Sequence, residues 1–249
     1  MTQAPPARQD RPWQAGLATL RDALGLFTIL PVRAAPEIGR REAARAVLWL
    51  PAVGALLAVP AGGVLLAVEA GGHSAPRRLL GAVLAIGLLA LLTGGLHLDG
   101  LADTADGLGS RRPRDEALAI MRRSDVGPLG VAALVFTVLV QITALATVNP
   151  GWPGAGAVLL AAVTGRVTVV LATGRGSPAA RPDGFGALVA GATAARARLT
   201  AGTAVLAVTA GRRPWCRVQR RRCAPLPPSW PDCSRPRCCA ASRCGAWAA

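Results

Sequence analysis

The sequence predicts an all-α, multi-pass transmembrane protein with four to five spanning segments, and three observations carry that reading. Of the 249 residues, 52% are hydrophobic and 16% charged, whereas about a quarter of a soluble domain is charged. The apolar residues stand in blocks rather than interleaved with polar ones, as lipid-embedded helices require. Several blocks also reach the roughly twenty residues needed to cross the hydrocarbon layer.

In chain order, residues 1–16 are polar and proline-rich, lack the apolar core of a signal peptide and are expected to be disordered. Leu17 to Val32 (LATLRDALGLFTILPV) is amphipathic and broken by Pro31, which suits an interfacial helix better than a span. An arginine-bearing stretch follows, with Arg33, Arg40, Arg41 and Arg45. Ala46 to Val68 is free of charge and long enough to span; Leu79 to Leu96, Leu129 to Val148 and Ala155 to Thr173 are three further candidates. A fifth apolar run starts at Leu199 and breaks off after about a dozen residues, too few to span. The membrane-embedded domain is therefore expected over residues 17–210.

Residues 211–249 read differently. They hold nine arginines against one acid, Asp232, and so contribute +8 of the formal +15. All six cysteines, Cys216, Cys223, Cys233, Cys238, Cys239 and Cys244, fall there without a C-x-x-C spacing or a nearby histidine, so neither zinc nor a disulfide framework is implied. Arginine, proline, tryptophan and cysteine rise together where an apolar helix breaks off, and the segment is expected to be a disordered or frameshifted tail rather than a domain. With no lysine in the chain and the charge so unevenly placed, the basic balance does not point to nucleic acid. The partner it does imply is the lipid bilayer; no specific protein partner can be inferred.

Arginine placement in short loops orients the spans. With residues 33–45 cytoplasmic, the 97–128 loop faces inward, the uncharged turn Asn149 to Gly154 faces outward, and Arg175 and Arg181 return inward. Arg77 and Arg78 alone fall on the opposite side. The expected location is the plasma membrane with the charged loops in the cytoplasm.

The chemistry concentrates in Gly94 to Ser110, GGLHLDGLADTADGLGS. Asp99, Asp103 and Asp106 stand at i, i+4 and i+7 and fall within about 60° of one helix face. Carboxylates so close repel by about 3 kcal/mol per pair at an effective dielectric near 20, which asks for a cation. Oxygen ligands select a hard ion such as Mg²⁺, typically shared with substrate phosphates. A solvated acidic helix face is the plain alternative, but glycines bracket the run and it sits at a membrane exit. His97, two residues before the first aspartate, is placed to accept a proton or to bond a phosphate oxygen. Arg166 lies inside an apolar segment, where a buried charge calls for a partner or a substrate role. His73, in a short GGHS loop, is read as incidental.

The run LHLDGLADTADG, followed by ALAIMRRSDVGPLGV, resembles the signature of cobalamin synthase, also called adenosylcobinamide-GDP ribazoletransferase. Upstream, FTILPV and RAVLWLPAVGALL resemble the N-terminal part of that family, and TGR at 164–166 with ARPDGFG at 180–186 resembles its next cytoplasmic loop, so the likeness covers roughly residues 20–190. It implies a transferase that joins adenosylcobinamide-GDP to α-ribazole, or to its 5′-phosphate, with GMP leaving. It also implies Mg²⁺ on Asp99, Asp103 and Asp106, with Arg45 and Arg181 matching the family's pattern as phosphate contacts beside Arg166. The chain departs from the family in reading Arg123, Ser124, Asp125 where an Asp-Ser-Arg order is usual, and in lacking the terminal Gly-Gly-x-Thr-Gly-Asp motif and last apolar helix. Two other classes compete. A CDP-alcohol phosphotransferase also uses clustered aspartates at a membrane surface, but its longer D-G-x-x-A-R pattern is missing, because Gly100 is followed by LADT. A transporter would use Arg166 and the aspartates as an ion path, yet internal repeats and paired broken helices are not seen.

Overall fold

A computed structural model describes residues 12–32 and 38–207. The chain forms α1 (Pro12–Phe27), α2 (Arg40–Ala70), α3 (Ala75–Leu92), α4 (Leu96–Gly109), α5 (Arg114–Ile120), α6 (Pro128–Thr147), α7 (Trp152–Ala172) and α8 (Phe185–Val189), and residues 195–207 are also helical. No strand forms among the described residues. Four helices, α2, α3, α6 and α7, are long and apolar enough to cross a membrane, matching the four expected spans. The apolar run from Leu199 passes out of the described residues at 208, and the expected tail at 211–249 lies wholly outside them.

Several boundaries differ from expectation: α2, α3 and α7 begin at Arg40, Ala75 and Trp152, ahead of the expected Ala46, Leu79 and Ala155, and two other differences have a clear local cause. α1 begins at Pro12 rather than at residue 17, because proline at a first helical position supplies a preset φ and gives up only an amide that would be unpaired there. The second span ends at Leu92 rather than Leu96. Gly94 and Gly95 have φ of 60° and 74°, a left-handed pair that residues with a Cβ seldom adopt. They turn the chain out of α3 and start α4 within one residue.

α2 is the axis of the bundle. Its 31 residues rise about 46 Å, more than the roughly 30 Å hydrocarbon layer, so one end projects. Pro51 and Pro60 lie inside it, each removing one backbone bond without ending the helix, a loss that neighbouring helices make tolerable in a membrane. Three buried clusters surround it: Ala58, Ala61 and Leu65 with Ala85 of α3 and Val158 and Ala162 of α7; Ala43, Val47 and Leu50 with Val170 and Val189; and Ala46, Val53 and Leu57 with Ala23 of α1. Small residues let α2 and α7 approach closely, as membrane helices must when lipid is as apolar as leucine. A Cβ on Gly54 would lie 2.7 Å from the Ala162 carbonyl oxygen, and one on Gly62 3.3 Å from the Ala155 Cβ. α6 instead leaves Val131, Val135, Phe136, Leu139 and Val140 exposed, an apolar face suited to lipid.

The two ends of the bundle are built differently. At the end carrying the α2–α3 and α6–α7 turns, the buried Glu69 carboxylate accepts a bond from the Gly151 amide at 2.6 Å, and Arg78 donates to the Val148 carbonyl at 2.5 Å. At the other end, Phe27 meets Phe185 edge-on with centroids 5.4 Å apart, Arg40 donates to the carbonyls of Ala187 and Ala190, and α4 packs against α6 and α5. The sequence-predicted site residues gather at this second end.

Candidate active site

α4 displays the three aspartates on one face, but their positions along its axis give them different surroundings. Seven residues separate Asp99 from Asp106, an axial rise of about 10 Å. Asp99 opens on a cavity of about 510 Å³ walled by Leu26, Phe27, Ile29, Leu98, Val126 and Leu134. Asp103 and Asp106 open on a neighbouring one of about 320 Å³, whose wall also includes Ser110, Arg123, Asp125 and Gly127.

Asp106 has a distinct setting. One carboxylate oxygen accepts a bond from the Gly127 amide at 2.7 Å and the other from the Gly130 amide at 2.8 Å. Gly127 is the N-cap of α6, so Asp106 satisfies amides left free in that helix's first turn, where the helix dipole also favours negative charge. Among the described residues, no three histidine, cysteine, aspartate or glutamate side chains are grouped to enclose a metal ion. The donor set fits a Mg²⁺ held by one or two carboxylates and completed by substrate phosphate oxygens, which is how this ion is commonly bound. Asp99, Asp103 and Asp125 make no side-chain bond among the described residues, and of these Asp99 and Asp103 belong to the predicted acidic face.

His97 occupies the first turn of α4 and is exposed overall. Partial burial of its ring, and next the positive charge of Arg166, push its pKa below the usual 6.5, which favours the neutral imidazole. The structure therefore brings His97 and Arg166 into electrostatic reach, although 69 positions separate them in the chain. Arg166 is 9% exposed, and its Cδ lies 2.9 Å from where a Cβ on Gly54 would stand. No acceptor bonds its guanidinium among the described residues, so it is a buried cation without a protein counter-charge there.

The remaining predicted arginines are farther apart. Arg181 lines a third cavity of about 470 Å³ with Asp183 and Phe185, and Asp183 pairs with Arg122 at 3.2 Å. Arg114 donates to the Ala180 carbonyl at 3.4 Å. These contacts hold the 174–186 loop beside the α5 region, so the two charged loops lie at one end of the bundle. Arg45 stays exposed on α2 and makes no hydrogen bond or ion pair among the described residues. His73 is likewise remote from α4, in the α2–α3 turn.

Arg123 and Asp125 were not chosen from the sequence as site residues, yet both line the cavity of Asp103. Their signal was present in RRSDVGP, where charged residues immediately precede the glycine and proline that start α6.

A family model described as cobalamin-5-phosphate synthase matches residues 19–219, which includes every element named above except the start of α1. The chain belongs to this family. Among relatives named adenosylcobinamide-GDP ribazoletransferase, that of Frankia casuarinae is 44% identical over 195 residues, covering 76% of this chain and 70% of the relative. That of Bradyrhizobium diazoefficiens is 38% identical over 198 residues, covering 78% and 74%. That of Corynebacterium efficiens is 37% identical over 189 residues, covering 76% and 67%. No solved structure matches the chain. Family membership sets aside the CDP-alcohol phosphotransferase and transporter readings.

Proposed function

We propose that the chain joins adenosylcobinamide-GDP to α-ribazole, or to α-ribazole 5′-phosphate, giving adenosylcobalamin or its 5′-phosphate and GMP. The observation that carries the site assignment is the meeting of Asp103, Arg123 and Asp125 on one cavity at the end of the bundle where His97 and Arg166 also lie. A ribose hydroxyl oxygen forms a bond to the cobinamide-linked phosphorus, the phosphorus–oxygen bond to GMP breaks with its electron pair leaving on GMP, and the hydroxyl proton passes to a base.

His97, held neutral by its surroundings, is the residue proposed to take that proton. Arg45, Arg166 and Arg181 are proposed to hold the anionic groups, since a guanidinium meets phosphate oxygens with paired donors. Mg²⁺ held by Asp103 and Asp99 and by the pyrophosphate oxygens would neutralise charge gathering on the departing nucleotide. The loops bearing the site face the cytoplasm, and the membrane is the plasma membrane. Arginine density supports this orientation, because short cytoplasmic loops are enriched in it.

The test is turnover by the full chain reconstituted in lipid nanodiscs. GMP release should require both adenosylcobinamide-GDP and α-ribazole, in equal amounts with the cobamide product, and should stop when Mg²⁺ is chelated. GMP release that is indifferent to α-ribazole would refute the transfer; turnover unaffected by chelation would refute the metal alone.

A further inference from the structure

We infer that Asp106 is a positioning residue rather than a metal ligand: its carboxylate clamps α4 to the start of α6, and this fixes Asp103, Arg123 and Asp125 around one cavity. The inference deepens the proposed reading, but its geometry does not depend on that reading. Both oxygens of Asp106 are engaged, by the Gly127 amide at 2.7 Å and the Gly130 amide at 2.8 Å. A bidentate cap of this kind uses the lone pairs that point into the α6 turn, where a cation would face the positive end of the helix dipole.

The glycines show that the fit is close. A Cβ on Gly127 would lie 2.5 Å from Asp106 Oδ1, and one on Gly130 would overlap Oδ2 and come within 3.0 Å of the Ala102 carbonyl oxygen. The carboxylate therefore lies flat against backbone that only glycine exposes. α5 lies between these two helices in sequence, and Arg123 and Asp125 fill the short connection from α5 to α6. If α4 and α6 separate, Asp103 leaves one side of the cavity while Asp125 leaves the other.

The experiment compares Asp106→Asn, Gly130→Ala, their combination and Asp103→Asn in the full chain in nanodiscs. It reads thermal unfolding and the binding of Mn²⁺, as a spectroscopic stand-in for Mg²⁺, with adenosylcobinamide-GDP present. Asp106→Asn keeps one acceptor oxygen but turns an amide group toward a backbone donor, and loss of a cap of this strength should lower the unfolding midpoint by about 4 to 8 °C. Gly130→Ala should lower it similarly, and the double variant should melt within about 2 °C of the worse single variant, since both break one contact. Mn²⁺ affinity should fall by about the same factor in the two single variants, because both loosen the same support of Asp103, and by less than in Asp103→Asn, which removes a ligand.

Additive losses of melting temperature, or an Asp106→Asn variant that melts normally while its Mn²⁺ affinity falls as far as that of Asp103→Asn, would overturn the inference. If Asp106→Asn does not fold, Gly130→Ala decides: lower melting with the Asp106 carboxylate intact supports the clamp, and unchanged melting refutes it. If Asp103→Asn binds Mn²⁺ normally, the metal assignment of the proposed function fails while the melting cycle still tests the clamp.

Discussion

Substituting Gly54 tests the α2–α7 contact and the placement of Arg166 together. A methyl group there would stand 2.7 Å from the Ala162 carbonyl oxygen, 3.1 Å from the Ala162 carbonyl carbon and 2.9 Å from Arg166 Cδ. Two of these atoms belong to the backbone of a packed helix and cannot rotate away, so Gly54→Ala has to push α7 outward or displace the arginine. Overpacking of this kind costs about 1–3 kcal/mol. Gly63→Ala is the control, because a Cβ at Gly63 of the same helix meets nothing within 4 Å. Both variants gain the same helix propensity, about 1 kcal/mol, so it cancels in their difference. For a chain of this size 1 kcal/mol moves the melting midpoint by about 2–4 °C. Gly54→Ala should then melt about 2–12 °C below Gly63→Ala when the full chain is unfolded thermally in nanodiscs. It should also raise KM for adenosylcobinamide-GDP, because Arg166 shares the crowded contact. Melting of the two variants within about 1 °C of each other would show that the helices are not packed as described.

Asp103→Asn should lower Mg²⁺-dependent turnover at least about 100-fold with an unchanged melting temperature, and full turnover at limiting Mg²⁺ would remove Asp103 from the site. Arg166→Gln is expected to raise KM for adenosylcobinamide-GDP at least about tenfold and to leave KM for α-ribazole within about twofold; the opposite pattern would place Arg166 at the acceptor. Glu69→Ala removes the buried acceptor of the half-buried Gly151 amide and should destabilise the protein by about 1–3 kcal/mol without changing KM for either substrate. Single cysteines at Ser110 and Ser177, in a background with the six native cysteines replaced, should label equally with an impermeant thiol reagent, and labelling of only one would refute their placement at one end of the bundle.

The spans were legible because crossing a bilayer fixes a length and disfavours charge, and α2, α3, α6 and α7 are long and apolar enough, α7 even with Arg166 inside it. Their ends were less legible. The Leu79 to Leu96 run continues apolar through Thr93-Gly94-Gly95, and only the left-handed backbone of the two glycines shows that the helix has already ended. The site was half legible for a related reason. Sequence spacing gives the angle of a residue around a helix, so the shared face of Asp99, Asp103 and Asp106 could be read. Which cavity each one faces depends on what packs beside α4, and the α6 turn that engages Asp106 begins 21 residues later. Glu69 carried a sequence signal, being an acid at the end of an otherwise apolar run, and its partner across the bundle was the part that could not be read.

The structure also bears on the one exception to the arginine pattern. Arg77 and Arg78 fall at the end of the bundle opposite the site, against the expected bias. Arg78 donates to the Val148 carbonyl at the end of α6, and the Arg77 guanidinium lies over Gly71. Arg78 is thus bonded to a backbone turn at the end where Glu69 is buried, while Arg77 lies against the neighbouring turn without a bond among the described residues. At the site end, residues 40–45, 111–123 and 175–181 hold ten arginines. Arg40, Arg112, Arg114 and Arg122 bond carbonyls or carboxylates there, while Arg41, Arg45, Arg111, Arg123, Arg175 and Arg181 make no such bond among the described residues. Once arginines committed to local structure are set apart from those left over, the asymmetry between the ends grows. Of that uncommitted charge, Arg123 lines the cavity of Asp103 and Arg181 the third cavity, and in the proposed orientation the same positive field would draw anionic substrates toward that end.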